Sequence, residues 1–238
     1  VRFVLGKPAS KIIGDGRVKG VEVKGEEIPA DLVVMCVGVV PRKELAEEAG
    51  IEVDRGIVVD EYMRTSARDV YAAGDCAEYP LKIGGKGLVA LGSVAVRSGA
   101  VAGINVAGGR QRMMPVLGSA TAKLFGLEVA FTGINSIQAS SLGIEVSSAR
   151  IRTSSLPEYF PGGEEVRFKL IVDKRGRIVG AQCIGPNASK FVDMVSFAIQ
   201  AGFSLEELWL AETCYAPPVS PVWSPLNIAA RALLRKLR

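Results

Sequence analysis

The chain holds 238 residues, 48% hydrophobic and 23% charged, enough to bury the core of one or two domains. Its 29 basic and 25 acidic side chains leave a formal charge of +4, too even a mixture to point to nucleic acid or a membrane surface as partner. Histidine is absent, which removes the commonest general base and metal ligand, and Cys36, Cys76, Cys183 and Cys214 form no C-x-x-C pair, so neither a metal site nor a redox dithiol is expected.

No run is long enough to span a bilayer and the first residues lack a signal-peptide pattern, so the expected location is cytoplasmic. Residues 1–35 read as β structure. Residues 1–5 are a short apolar run, and residues 18–24 alternate Val18, Val21 and Val23 with charged neighbours. Asp15-Gly16 is a tight-turn pair that makes a hairpin. Gly14, Gly16 and Gly20 are spaced loosely like a phosphate-binding loop, but no helix pattern follows them. Residues 31–37 form a continuous apolar run, the mark of a strand covered on both faces. A short helix over 43–49 is stopped by Gly50, and 57–59 is another strand.

The stretch 65–75 ends in Val70-Tyr71-Ala72-Ala73-Gly74-Asp75. The spacing predicts a buried strand over 70–73, with Asp75 at its carboxyl end, where open α/β sheets place ligands. Gly74 permits close approach and Asp75 offers one fixed acceptor, suited to a polyhydroxylated chain; the same letters also make an ordinary strand-ending turn. Residues 76–87 read as a Gly- and Pro-rich loop. Residues 88–107 then form a helix of small side chains, capped by Gly92 or Ser93. Such a helix suits either tight packing or a flat ligand, and its amino end favours an electron-rich ring or a phosphate.

Composition shifts at Met113-Met114-Pro115, and the remainder reads as α+β. Asn135 with Gln138 and Ser204 with Glu207 are capping boxes, and Gly143 ends the first of the two helices. Strands are predicted over 144–153 and 165–172. The turn Asp173-Lys174-Arg175-Gly176 returns the second into 177–184, and a helix over 189–201 stops at Gly202. Ser224-Pro225 opens the last helix, whose end carries Arg231, Arg235, Lys236 and Arg238, complementing the helix dipole. Two stretches place rigid aromatics between prolines, Pro157-Glu158-Tyr159-Phe160-Pro161 and Tyr215-Ala216-Pro217-Pro218 with Trp223 nearby, suited either to an interface or to a buried corner. Cys214 has no cation beside it and reads as a structural thiol rather than a nucleophile.

Taken in order, these stretches resemble the carboxyl-terminal half of the flavin-dependent pyridine nucleotide–disulfide oxidoreductases. The resemblance runs through Gly38-Val39-Val40-Pro41, Gly56-Ile57-Val58-Val59-Asp60, Thr65 to Ala77, Gly99, Asn105, Phe131-Thr132-Gly133, Tyr159-Phe160-Pro161-Gly162 and Tyr215-Ala216-Pro217-Pro218. The branch it is most similar to is that of coenzyme A-disulfide reductase, NADH oxidase and NADH peroxidase. It implies an α/β plus α+β fold. Residues 1–35 would end an NAD(P)-binding domain. Residues 36–114 would be the second segment of a Rossmann-like FAD-binding domain, and 115–238 an α+β dimerisation domain with a mostly antiparallel sheet. It also implies FAD as cofactor and NAD(P)H as substrate. Gly74, Asp75, Leu91, Gly92, Ser93 and Ala95 would face the flavin, and Tyr215 and Tyr159 would reach across a homodimer to a thiol and its disulfide, such as coenzyme A disulfide. Two departures stand out: Phe160 where the branch often has a second tyrosine, and Val96 where asparagine is common. The strand–G-x-G-x-x-G–helix of the FAD pyrophosphate and the reactive cysteine of the amino-terminal half are not in this sequence. The chain is therefore read as part of an enzyme, inactive alone, or as a non-catalytic dimerisation module or subunit of a split flavoenzyme. The electron acceptor and the choice between NADH and NADPH stay open.

Overall fold

A computed structural model describes residues 1–237. The chain divides into a unit spanning Val1–Val40 and a second beginning at Pro41. The first unit is built on a meander. β1 (Lys11–Asp15) pairs antiparallel with β2 (Arg17–Val23), which pairs antiparallel with β3 (Glu26–Pro29) through a Lys24-Gly25 turn. The expected hairpin therefore has a third strand, and Gly14, Gly16 and Gly20 belong to β-turn and ladder positions rather than to a phosphate loop.

Two expectations fail here. Residues 1–5 form no strand, and neither do 31–37, whose side chains face solvent, Leu32 at 78% and Val37 at 82% exposure. Apolarity qualifies a segment for the middle of a sheet, but a strand also needs a neighbour for its N–H and C=O groups. Among the described residues none lies alongside this run in its own unit.

The second unit opens with α1 (Glu44–Glu48), closed as expected by Gly50 in a left-handed conformation. β4 (Ile57–Val58) runs parallel to β5 (Ala77–Pro80), which turns back into β6 (Lys86–Leu88). The segment read as a loop over 76–87 is thus a hairpin, whose first strand buries Ala77, Glu78 and Tyr79 in a row and is masked in the sequence by the glycines that follow. Residues 70–73 form no regular strand. Asp69 adopts a left-handed conformation and folds the chain back, so that Thr65 N–H donates to Val70 O (3.0 Å) and Ala72 N–H to Met63 O (3.1 Å). α2 (Gly92–Val106) packs Val94 and Val101 onto Val59, Met63, Ala72, Ala77 and Tyr79. Asn105, near its end, donates to Tyr62 O and Gln111 O and accepts from Gln111 N–H, fixing where the helix stops.

Beyond Val116, which still bonds to Pro80 and Lys82, a five-stranded antiparallel sheet takes over in the order β7-β8-β11-β10-β9. Its members are β7 (Ala120–Leu124), β8 (Leu127–Gly133), β9 (Val146–Ser154), β10 (Glu165–Asp173) and β11 (Ile178–Ile184). Capped by Asn135, α3 (Ser136–Ser141) covers one face. α4 (Ala188–Ala201), α5 (Leu205–Leu210) and α6 (Pro225–Leu237) cover the other. Alternation along β10 divides the two cores. Val166, Phe168, Leu170 and Val172 face α4 and α6, and Ile171 joins Val179 and Ile134 on the opposite side. Each fully buried apolar side chain contributes about 1.5–3 kcal/mol. The helices meet this face with i, i+3, i+7 spacings, Val192, Val195 and Ile199 on α4, Leu226, Ala229 and Leu233 on α6.

Both predicted capping boxes form, at Asn135/Gln138 and Ser204/Glu207. The β10–β11 turn also forms as predicted. Buried Asp173 accepts from the Arg175 and Arg177 N–H groups (2.9 and 3.0 Å) and pairs with the Arg177 guanidinium (2.6 Å). Burial alone would raise this carboxyl, but the bonds from Arg177 and from the two N–H groups outweigh it and hold it below its ordinary value. Its contribution to stability is therefore present above the unfolded value of 3.8 and lost as pH falls through the lower folded value. Arg177 is solvent-facing, so water and salt weaken its share of this effect, while the bonds from the two N–H groups are screened less. Asp173→Ala is expected to lower unfolding free energy by about 2–4 kcal/mol at neutral pH. In denaturant titrations at stepped pH, the gap between variant and parent should close below about pH 4.

Candidate functional site

Two groups of sequence-singled residues come together. The first surrounds Gly74. This residue has a φ of +86°, a conformation an L side chain rarely takes, and the turn it makes leads into β5 rather than ending a strand. That corrects the expected place of Asp75, which stands exposed on the turn before β5. Both peptide groups of Gly74 are held from the interior: its N–H donates to Ser98 Oγ of α2 (3.2 Å), and its carbonyl accepts from the Tyr79 hydroxyl of β5 (2.6 Å). Tyr79 and Ser98 are fully buried and their oxygens lie 2.9 Å apart. Burial, more than any other influence, pushes the Tyr79 phenol above its ordinary value, so Tyr79 stays a donor.

Ser98 meets Gly74 from the second turn of α2, where its hydroxyl also donates to Ala95 O (3.1 Å). The expected cap at Gly92 or Ser93 is replaced. Leu91 is the N-cap, in extended conformation, and being apolar it offers no side-chain acceptor. Val94 and Ala95 N–H bond back to Leu91 O. Among the described residues, the Gly92 and Ser93 N–H groups have no backbone or side-chain acceptor, and Ser93 O accepts from Arg97 (2.8 Å). Gly92 and Ser93 are exposed, Leu91 and Ala95 half-buried. At Gly74, Gly92 and Gly99 the space where a side chain would begin is open. The arrangement is a floor without side chains, flanked by a carboxylate acceptor and a helix amino end with donors outward.

Sequence reasoning missed Tyr79, Ser98 and the buried Glu78, which accepts from Arg55 (3.1 Å) and, more weakly, from Gly56 N–H (3.4 Å). A signal for Ser98 existed: Val94, Ser98, Val101 and Asn105 follow the 4-3-4 spacing of one buried helix face.

The second group is a pair of phenols. Tyr159 and Tyr215, 56 residues apart, bring their hydroxyls to 2.6 Å. The Tyr159 loop extends the β9–β10 ladder, tied at its base by Ser155 N–H to Glu164 O (2.8 Å) and Glu164 N–H to Ser155 Oγ (3.0 Å). The Tyr215 segment is closed by an Ala216–Ser220 bridge and by Ser220 Oγ donating to Cys214 O (2.6 Å). Both phenols face solvent, Tyr159 at 70% and Tyr215 at 47% exposure. The Tyr215 hydroxyl beside it holds the Tyr159 phenol above its ordinary value. One O–H is spent between the two, so the pair presents one further O–H, polarised by the first bond, to a third group. Among the described residues no hydrogen bond or ion pair joins this pair to the Gly74 group, and no cluster of acidic or cysteine side chains suits a metal. Nearby, Trp223 lines a groove of about 220 Å³ with Trp209, Arg231 and Arg235. Cys214 and Cys36 are exposed and Cys76 is half-buried; Cys183 is buried in the sheet, where desolvation pushes its thiol up to about 12.

Comparison with known proteins covers nearly the whole chain. Residues 1–99 match the model for pyridine nucleotide-disulphide oxidoreductases and residues 119–225 that family's dimerisation domain. An NADH oxidase of Methanocaldococcus jannaschii is 40% identical across 100% of this chain and 54% of its own length. An NAD(P)H coenzyme A polysulfide/persulfide reductase of Pyrococcus horikoshii is 37% identical across 98% of this chain and 53% of its own. The solved NAD-dependent persulfide reductase from A. fulgidus superposes with a TM-score of 0.91 at 36% identity, covering 97% of this chain and 44% of that one. The chain thus spans about half the length of the curated relatives it matches. With a Rossmann-like portion followed by an antiparallel dimerisation domain, and with both of the family's models matched in order, the chain belongs to the pyridine nucleotide-disulphide oxidoreductases.

Proposed function

We propose that this chain is the carboxyl-terminal portion of an FAD-dependent NAD(P)H oxidoreductase of the coenzyme A-disulfide reductase or NADH oxidase type, working as a homodimer in the cytoplasm. The observation that carries the reading is the Gly74–Asp75 turn bonded to the first turns of α2, in a chain that matches both models of the family. The residues fit the cofactor. Gly74, Gly92 and Gly99 leave open the space a flat ring and its ribityl chain need, Asp75 supplies an acceptor for hydroxyls, and the amino end of α2 supplies N–H groups and partial positive charge. Bound there, FAD would supply hydride acceptance from the nicotinamide. Around it, Asp75 would orient the hydroxyl-bearing chain. The Leu91, Gly92, Ser93 and Ala95 turn would face the electron-rich edge of the ring and favour negative charge on it.

Residues 1–35 would end the NAD(P)-binding domain, 36–114 form the second FAD segment and 115–238 the dimerisation domain. The compact unit ending at Val40 and the separate cores either side of Val116 support this division. Tyr159 and Tyr215 would present their free O–H to sulfur or oxygen of the electron acceptor, stabilising a departing thiolate; coenzyme A disulfide, another small disulfide, a peroxide and oxygen all suit such a donor. No helix among the described residues is long and apolar enough to cross a membrane. The solvent-facing apolar side chains of the β7–β8 hairpin, Phe125 and Leu127 among them, suit burial against a second copy.

Two outcomes are expected. Purified with the polypeptide that supplies the remaining half of its relatives' length, the protein should show a flavin absorption band. The isolated 238-residue chain with added FAD should not oxidise NAD(P)H above background. A colourless complete protein would overturn the flavin reading, and turnover by the isolated chain would overturn its expected silence. For the tyrosine pair, Tyr159→Phe and Tyr215→Phe should each lower the disulfide-reducing rate by about 10- to 100-fold in steady-state assays. In Tyr215→Phe, ultraviolet phenolate titration should also show one phenol returning from its raised value to the ordinary 10.0.

A further inference from the structure

Asp75 can orient a ligand only if the turn beneath it is fixed, and Asp75 itself does nothing to fix it: among the described residues its carboxylate accepts no hydrogen bond. The fixing is done one residue earlier and from below. Gly74 lacks a side chain to anchor it and sits in a backbone region open to glycine, so the turn has more alternatives than any L residue would allow. Two buried hydroxyls remove them. Ser98 holds the Gly74 N–H, Tyr79 holds the Gly74 carbonyl, and the two hydroxyls touch each other at 2.9 Å. With Tyr79 donating to Gly74 O, the Ser98 proton is free for Tyr79 Oη or Ala95 O, and no oxygen of the set is without a proton or a donor. The three residues come from three elements: the turn, β5 and α2. Fully buried, neither hydroxyl has water to fall back on.

We propose that Tyr79 and Ser98 are positioning residues for the flavin, locking the Gly74 peptides to the first turns of α2 so that the Asp75 carboxylate and the amino end of that helix present themselves as one rigid unit. This rests on the reading of Gly74 and Asp75 as part of an FAD site. Neither side chain would touch the cofactor. They act through the backbone of Gly74, Ser98 on the peptide before it and Tyr79 on the peptide after it, so the loss of either loosens the same residue.

The test uses the complete flavoprotein carrying Tyr79→Phe, Ser98→Ala or both, with Asp75→Ala as a check on the underlying reading. FAD dissociation constants are measured by fluorescence of released flavin, apoprotein melting temperature by calorimetry, and Gly74 amide exchange by mass spectrometry. Each single variant is expected to raise the dissociation constant about tenfold and to speed Gly74 exchange. The double variant should match the singles rather than multiply them, because both act on one residue. Asp75→Ala should weaken FAD without changing Gly74 exchange. Lower melting temperatures with FAD affinity within twofold of the parent in both single variants would overturn the positioning role, and so would multiplicative losses in the double variant. If Asp75→Ala also leaves affinity unchanged, the flavin reading itself has failed. Ser98→Ala keeps helix propensity and removes a single oxygen, so it tests the proposal even if Tyr79→Phe fails to fold.

Discussion

Strand β10 is hydrogen-bonded along both edges, and the carboxyl-terminal half depends on its register. Alternate residues of this strand supply two cores at once, so a slip of one residue would exchange Phe168 and Leu170 with Lys169 and Ile171. The same register sets where the loop after β9 begins. Glu165 lies opposite Ser154, and the Ser155–Glu164 bonds prolong the ladder, so Tyr159 projects from a base the core has already fixed. Tyr215 is placed by different means. Asn227, buried on α6, donates to Leu208, Trp209 and Ala211 carbonyls at the end of α5 and accepts from Ser224. That network fixes both ends of the segment carrying Tyr215. Two exposed hydroxyls meet at 2.6 Å because two buried polar and apolar frameworks leave their loops little choice.

What was legible in the sequence was what local chemistry decides. A capping box needs only four consecutive residues, and both Asn135/Gln138 and Ser204/Glu207 form. Gly50, Gly143 and Gly202 stop helices because their own conformations permit it. The turn at Asp173 is equally self-contained, since its acceptors and donors lie within five residues. Strand formation is a different matter. Residues 31–37 and 165–172 carry similar apolar letters, yet only the second finds a ladder on each side. Hydrophobicity states that a segment needs cover, and pairing decides whether it gets it. The Gly-rich β5–β6 hairpin shows the converse: turn letters masked a strand whose buried residues, Ala77 and Tyr79, belong to the core.

The candidate site was legible in an uneven way. Gly74, Asp75, Tyr159 and Tyr215 announce themselves because a glycine before an acid, or aromatics between prolines, are unusual neighbours. Leu91 as an N-cap was not foreseen, since Ser93 is the better capping residue by chemistry. An apolar N-cap leaves donors unsatisfied, a cost that an ordinary helix avoids with Ser, Thr, Asn or Asp. A ligand with acceptors would relieve that cost, and a serine cap would compete for the same N–H groups.

That difference clarifies how α2 divides its labour. One face, through Val94, Ser98, Val101 and Asn105, looks inward and contains the polar side chains that tie the helix to Gly74 at one end and to Tyr62 and Gln111 at the other. The other face, with Gly92, Val96, Gly99 and Gly103, is exposed and almost without polar side chains. Polar groups that hold the backbone are buried, where a hydrogen bond meets no competition from water, while the groups offered outward are backbone N–H and the Asp75 carboxylate, whose directions the buried bonds have set. Were Ser98 on the outer face it could bond a ligand, but Gly74 would lose its N–H partner and the carboxylate its orientation. A hydroxyl one turn out of place cannot serve both purposes, so the inward position of Ser98 is itself an argument that preorganisation of the turn, rather than one more direct contact, is what this helix face supplies.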